Sequence, residues 1–499
     1  MTRRTAGNQG PGARAGGAVA AGRAVLPTLA AAQFLMTLDS SVMNVSIATV
    51  AADVGTTVTG IQTAITFYTL VMAAFMITGG RLGQILGHRR VFTLGCVVYG
   101  CGSLTTSVAG NLAVLIFAGE VLVVGVILWL TRGMAATPPM TAPPTTTTAG
   151  GRLDLVGAAL SATGLALVVY GVLRSGSWGL VRPAPGAPVW LGLSPVIWLI
   201  ITGGAILWLF VWWQEHRLAR HAVALLDPAL LRDRTLRAGL TSFFFQYLLQ
   251  AGLFFVVPLY LSVALGLSAV ATGVRLLPLS VALLVAAVGI PRAFPRASPR
   301  RVVRSGFLAL LAGITITTAA LDVGAGPEIV TWPMLLAGLG VGAGLGVGAL
   351  ASQLGSVTVS AVADEHSGEV GGVQNTMTNL GASIGTAAAG AVLVSVLTTS
   401  FLTGVQQDPA VPADLATHAE VHLSEGAPFL SDQDLKSRLD EAGVPPDTAE
   451  AITTDNAGAR IDGLRASLSL LAVIALAALF LTRRIPSRQP VPTPTPVGT

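Results

Sequence analysis

Residues 238–263 read AGLTSFFFQYLLQAGLFFVVPLYLSV and contain no charged side chain. About 20 apolar residues in a helix are enough to cross the hydrocarbon core of a bilayer, so this run predicts a membrane span. The apolar residues are continuous rather than alternating, which argues against a transmembrane β-strand. The stretch therefore predicts a protein built from membrane-spanning helices.

The composition of the whole chain favours the same class. Its 499 residues are 52% hydrophobic and 11% charged, and the mean hydropathy is +0.72. Soluble domains usually carry about 25% charged residues, so a set of soluble domains is excluded. Two cysteines are too few for a secreted disulfide scaffold. We expect an all-α polytopic membrane protein.

Eleven further apolar runs bring the prediction to about twelve spans. When both termini are placed in the cytoplasm, 22 of the 29 basic residues fall on the inner side, as the positive-inside rule requires. The basic pI, near 9.7, then reflects topology rather than nucleic-acid binding. With a single lysine, a usage typical of high-GC bacteria, we predict a bacterial cell (inner) membrane. The further spans are predicted at 27–50, 61–82, 91–110, 112–131, 153–174, 192–213, 268–290, 302–321, 330–352, 373–402 and 463–482.

The remaining segments divide the chain into predicted domains. Gly/Ala/Arg-rich and Pro/Thr-rich stretches predict disordered ends and a flexible linker. A short helix is predicted at 432–442, within the polar, acidic outer loop 405–461. The domains are a disordered cytoplasmic N-terminus at 1–24, a shortened N-terminal helical bundle at 25–132, a flexible linker at 133–152, two linker-type membrane helices with an inner loop at 153–236, a C-terminal bundle at 237–485 that contains the outer loop 405–461, and a disordered tail at 486–499.

A basic loop occurs twice, 211 residues apart, after the second and the eighth predicted span. Residues 80–95 read GRLGQILGHRRVFTLG and residues 291–306 read PRAFPRASPRRVVRSG. Chance similarity between arginine-rich inner loops is the alternative explanation. A duplication would give two related halves, which is the usual plan of secondary transporters.

The first of these loops resembles the signature of the major facilitator superfamily, with spaced glycines followed by paired basic residues. Span 1 contains LDSSVMNVSIATV from Leu38, similar to a motif of the fourteen-span drug:proton antiporters. The stretches from Pro258 and from Ser367 resemble the same family. The resemblance implies a two-bundle transporter fold. It also implies a gating role for the loop residues Gly80, Arg81, Gly83, Gln84, Gly87, Arg89 and Arg90, with Gln84 replacing the usual acid.

The chain departs from this family in its length. The stretch from Asn111 resembles the start of the family's fourth span, but after Glu120 it continues as VLVVGVILWL, which resembles the end of the sixth. About two spans of the N-terminal half are therefore predicted to be missing.

Two acidic residues are candidates for proton coupling. Asp39 lies in the middle of span 1, where a carboxylate costs several kcal/mol unless it is paired or protonated. Desolvation there favours the protonated form, which suits a proton carrier. A hydrogen-bonded structural acid is the alternative. Glu120, in the fourth span, is a second candidate proton site or an acid left at a deletion joint.

A polar and aromatic set is predicted to line the substrate path. In the run quoted first, aromatic and amide side chains suit lipophilic compounds, including cations held by cation–π attraction. Packing or lipid contact is the alternative for the aromatics, and interhelical bonding for the amides. The predicted path residues are Asn44, Phe244, Gln246, Tyr247, Gln250, Gln374, Asn375 and Asn379.

The predicted function is proton-coupled export of lipophilic drugs or antibiotics by alternating access. No nucleotide-binding loop or clustered metal-ligand spacing occurs, so we expect no enzyme, no metal and no cofactor beyond a proton gradient. The expected partners are the lipid bilayer, protons and small lipophilic substrates, with no nucleic acid; the oligomeric state stays open. The alternatives are a non-transporting, truncated relative of such exporters, and a channel or uniporter.

Overall fold

The structure is a computed structural model that describes part of the chain. This part includes most of the predicted C-terminal half and isolated pieces of the N-terminal half. The described residues are 50–51, 55, 60–61, 63–68, 71–72, 88–107, 154–183, 186–220, 222, 224–293, 298–337, 367–412 and 431–484.

In these residues the regular structure is helical, apart from one isolated bridge between Trp190 and Leu193. A short π-helix, Tyr260–Ala264, follows α4 directly. The helices are α1 His88–Ser107, α2 Leu155–Trp178, α3 Pro195–Ala219, α4 Arg234–Leu259, α5 Ala269–Ala293, α6 Pro299–Ala320, α7 Ser367–Gln407, α8 Asp432–Glu441 and α9 Pro446–Leu481.

Six helices of the described part are long and apolar enough to cross a membrane, and each overlaps one predicted span. The quoted run 238–263, for example, corresponds to the continuous helical stretch Arg234–Ala264. The total of twelve stays a prediction, because nearly all of 27–50 and all of 112–131 lie outside the described residues.

Helices α2 and α3 form a hairpin. The Asp154 carboxylate caps α2 by accepting from the backbone N–H of Gly157, and the Ser194 hydroxyl caps α3 by accepting from the N–H of Val196. Ser194 also donates to the carbonyl of Gly179 over 2.6 Å, which ties the two ends of the connecting loop. Both helix starts are therefore fixed by side chains rather than by water.

Helix α7 is the centre of the C-terminal bundle and packs against α2, α4 and α9. Two glycines one turn apart, Gly381 and Gly385, lie directly against the backbone carbonyls of Phe244 and Leu248 on α4. A Cβ atom at either glycine would collide with these carbonyl oxygens. Because glycine has no side chain, the backbones of α7 and α4 can approach closely at these positions, as is common between membrane helices.

The two longest helices, α7 and α9, are longer than the hydrocarbon core of a bilayer is thick. Helix α7 has 41 residues, which makes it about 60 Å long at the usual rise, whereas the hydrocarbon core is about 30 Å thick. Near the C-terminal end of α7, Ser400 donates to the carboxylate of Asp462 over 2.6 Å, and Thr448 donates to the carbonyl of Ala410. Polar side chains therefore join the end of α7 and the residues after it to α9.

The described parts of segment 405–461, residues 405–412 and 431–461, differ from the predicted loop. The short helix predicted at 432–442 is confirmed as α8, but α9 begins at Pro446, well before the predicted span 463–482. Ala449, Ile452 and Ala459 form a buried stripe along this early part. Residues 446–461 are helical because this stripe packs on α7, although their other face is polar.

Adjacent glycines in α3 provide a test of the hairpin packing. We expect Gly203→Ala to destabilise the protein by about 1–3 kcal/mol, because overpacking forces the helices apart. Its Cβ would lie 2.8 Å from the carbonyl oxygen of Gly164 and from a methyl group of Val168. Gly204→Ala is the matched control, since its Cβ would meet nothing within 4 Å. Thermal unfolding in detergent measures both, and equal melting temperatures would contradict this packing.

Candidate functional site

Most of the predicted proton and gating residues lie outside the described residues. Arg89 begins α1 together with His88, and Arg90 is exposed there. The basic pair therefore lies at the first turn of a helix. The predicted residues outside the described part are Asp39, Asn44, Gly80, Arg81, Gly83, Gln84, Gly87 and Glu120.

The aromatic and amide segment predicted from the sequence lies in the middle of α4. The helix is fixed at its start by Asp233, whose carboxylate accepts from the N–H of Leu236 over 2.7 Å. Phe244 and Phe245 are half-buried and meet edge to face, with their ring centroids 5.3 Å apart. Tyr247 is half-buried as well. The aromatic side chains thus pack within the bundle and are not fully exposed.

Two glutamines on α4 have unsatisfied amide atoms. Gln246 is only 4% exposed, and its Nε2 has no hydrogen-bond partner. Gln250 is half-buried, and its Oε1 also has no partner. The two residues are four apart and share one face of the helix. This face therefore presents one free donor and one free acceptor inside the apolar bundle.

The amides predicted on α7 behave differently. The Asn375 side chain donates to the carbonyl of Gly371 over 3.1 Å, and that of Asn379 donates to the carbonyl of Asn375 over 2.9 Å. Both bonds lie within α7, so these two donors do not join neighbouring helices. Gln374, next to Asn375, is half-buried.

A buried carboxylate that the sequence reasoning missed lies at the start of α2. Asp154 is 2% exposed and accepts from the indole N–H of Trp213 over 3.1 Å and from Nε2 of Gln214 over 2.9 Å. It also accepts from the N–H of Gly157 and lies 3.5 Å from Nη1 of Arg217. An Asp directly before an apolar run is a helix-capping signal, but the partners on α3 are distant in sequence and leave no local signal.

The same cluster reaches the C-terminal bundle. Gln214 is fully buried, and its Oε1 accepts from the N–H of Leu225 over 2.8 Å. Leu225 belongs to an apolar cluster that joins the end of α3, the following loop, α4 and the start of α7. The buried members of this cluster are Phe210, Leu225, Leu226, Leu236, Leu240, Val370 and Val373. The buried carboxylate therefore connects the hairpin to the bundle at one end.

Chemically, the α4 face can bind but not react. Its free groups are neutral amides, which accept or donate hydrogen bonds but do not gain or lose a proton near neutral pH. The Asp154 carboxylate is fully occupied by neighbouring donors. In the described part of the chain, the arrangement thus fits recognition of a compound and stabilisation of the helix bundle.

Comparison with known proteins identifies the family. The sequence profile of the Major Facilitator Superfamily matches residues 29–398. The chain is 25% identical over 488 aligned residues to the probable actinorhodin transporter of Streptomyces coelicolor, covering 82% of this chain and 78% of that protein. It is 26% identical to the puromycin resistance protein of Streptomyces alboniger, covering 79% and 86%.

The alignment with the multidrug efflux pump LfrA of Mycolicibacterium smegmatis is 24% identical and covers 91% of this chain and 94% of the pump. The alignment spans 509 positions including gaps, which is more than the 499 residues of this chain. The pump therefore has residues opposite gaps in this chain. Among solved structures, a bacterial homologue of the human lysosomal transporter Spinster aligns with a TM-score of 0.44 at 14% identity, covering 91% of this chain and 96% of that one.

Since the superfamily profile covers about three quarters of the sequence, the match is not confined to one motif. The chain belongs to the Major Facilitator Superfamily: it is an all-α membrane transporter rather than an enzyme, and an ion gradient drives it without a cofactor.

Proposed function

We propose that the protein is a proton-coupled secondary transporter that exports lipophilic drugs or antibiotics across the bacterial cell membrane by alternating access. The observation that carries the proposal is the similarity of nearly the whole chain to drug exporters and resistance proteins of the superfamily. The apolar, aromatic and amide surface of α4 supports it, because export of varied lipophilic compounds requires broad apolar contact with few polar groups.

Asp39 is the proposed proton carrier. A carboxylate in the middle of an apolar span is costly when charged and favours the protonated form. In the proposed cycle Asp39 binds a proton from outside and releases it to the cytoplasm as the substrate leaves. Glu120, in the predicted span 112–131, is proposed to take part in the same proton path.

The inner face is proposed to hold both termini and the gating loop. Placing the basic residues inside satisfies the positive-inside rule. In this topology the Asp154 cluster lies at the cytoplasmic end of the α2–α3 hairpin. We propose that this cluster keeps the hairpin attached to the C-terminal bundle while the two halves move.

The shortened N-terminal half favours a second candidate, a membrane relative that no longer transports. The alignments with two relatives contain gaps in this chain. That these gaps include the two spans predicted to be missing is part of this proposal. Resequencing the locus tests whether coding sequence for about 60 residues, the length of two spans with loops, is absent from the gene.

Export itself is tested in cells that express the chain and lack their own drug pumps. We expect accumulation of a lipophilic fluorescent dye to fall several-fold relative to cells with an empty vector, and a protonophore to restore it. Equal accumulation in both strains, with the protein present in the membrane by immunoblot, would contradict export and favour the second candidate.

A further inference from the structure

The amide pair on α4 is the feature that the fold itself does not explain. Nε2 of Gln246 and Oε1 of Gln250 are buried and without hydrogen-bond partners. An unsatisfied buried polar group costs free energy, and the cost is highest where water is excluded. The two side chains are at i and i+4, a spacing at which amides can bond to each other, yet neither free atom is bonded to the other.

The position of the pair points to a binding role. The predicted span 238–263 has its midpoint near Gln250, and Gln246 lies about one helical turn, roughly 5.4 Å, towards the cytoplasm. Substrate sites of secondary transporters lie near the bilayer midplane, between the halves. The opposite face of α4, at Phe244 and Leu248, is filled by the glycines of α7. The amide face is therefore the one turned away from the tightest packing.

The lack of charged side chains in the apolar segments of α4, α7 and α9 indicates which kind of ligand the pair would bind. No charged residue occurs in 238–263 or in 370–407, the part of α7 that packs on α4, and none occurs in 466–482 of α9. A cation in this half would meet no carboxylate from these helices. A free N–H and a free amide oxygen instead match a ligand that carries one acceptor and one donor.

Building on the proposed function, we propose that Gln246 and Gln250 bind the substrate through two neutral hydrogen bonds. Gln246 donates to a carbonyl or similar acceptor of the substrate, and Gln250 accepts from a substrate N–H or O–H. The substrate class is thus a lipophilic compound with neighbouring neutral polar groups, rather than a purely apolar cation held by charge.

Two probes of different chemistry test this in proteoliposomes. Puromycin carries an amide, hydroxyl groups and an amine, all of which form hydrogen bonds, whereas tetraphenylphosphonium is a lipophilic cation without hydrogen-bonding atoms. We expect the double variant Gln246→Met/Gln250→Met to lose about tenfold or more of puromycin transport, since each lost hydrogen bond to a buried partner matters. Transport of tetraphenylphosphonium should change less than about twofold. Gln407→Met, at the exposed end of α7, is the control and should resemble the wild type.

The outcomes separate this proposal from the export proposal. An equal loss for both probes, no loss for either, or a wild type that moves only tetraphenylphosphonium would overturn the amide site. If the wild type moves neither probe, export fails, and binding in detergent then decides. A melting-temperature increase with puromycin that the double variant lacks would keep the amide site, and no increase in the wild type would overturn it.

Discussion

Replacing Asp39 by Asn is expected to reduce substrate-dependent proton exchange to the level of protein-free vesicles. The amide is nearly isosteric but cannot bind and release a proton, and no other acid occurs in the predicted span 27–50. The measurement is internal pH in proteoliposomes after substrate addition, with equal amounts of inserted protein. Asp53→Asn is the matched control, because Asp53 lies just beyond the predicted end of the span.

Two results would contradict the role of Asp39. Unchanged proton exchange in Asp39→Asn would remove this residue from the coupling mechanism. Substrate flux that persists in the variant without any proton movement would instead support the channel or uniporter alternative. A structural acid predicts a third pattern, in which the variant inserts poorly or unfolds at lower temperature.

Asp154→Ala is expected to lower the stability of the protein by about 3–5 kcal/mol, because removing one member of a buried ion pair leaves its partners uncompensated. The donors left behind are the indole of Trp213, the amide of Gln214 and the guanidinium of Arg217. Thermal unfolding in detergent should show a clear decrease in melting temperature. Asp154→Asn, which keeps an acceptor oxygen, should lie between the wild type and the alanine variant.

An exposed ion pair in the same region gives the matched control. Glu215 and Arg232 are 3.1 Å apart with exposed side chains, and such pairs contribute about 0–1 kcal/mol. Glu215→Ala should therefore leave the melting temperature nearly unchanged. If Asp154→Ala and Glu215→Ala had the same small effect, the buried cluster would not stabilise the hairpin.

The sequence predicted the membrane helices of the described part well, because long apolar runs without charges leave no other structure available. The run 192–213 corresponds to α3, Pro195–Ala219, and 302–321 to α6, Pro299–Ala320. The early start of α9 was missed because 446–461 is polar on one face. Its narrow apolar stripe stabilises a helix only when α7 packs against it.

The candidate site was predictable only in part. The run of aromatic residues and glutamines in 243–250 identified the right segment of α4, but not that the amide atoms of Gln246 and Gln250 would be left without partners. The Asp154 cluster could not be predicted, because its partners Trp213 and Gln214 are about sixty positions away in sequence. Such contacts follow from the hairpin packing and leave no local pattern.

We propose that this chain, with its predicted shortened N-terminal half, couples export to protons. Proton flux in liposomes tests this coupling. Purified wild-type protein is reconstituted into liposomes that contain a pH-sensitive dye, and a lipophilic substrate is added under an imposed pH gradient. We expect proton flux that begins with the substrate and saturates with its concentration. Proton flux equal to that of protein-free liposomes at every substrate concentration would contradict it.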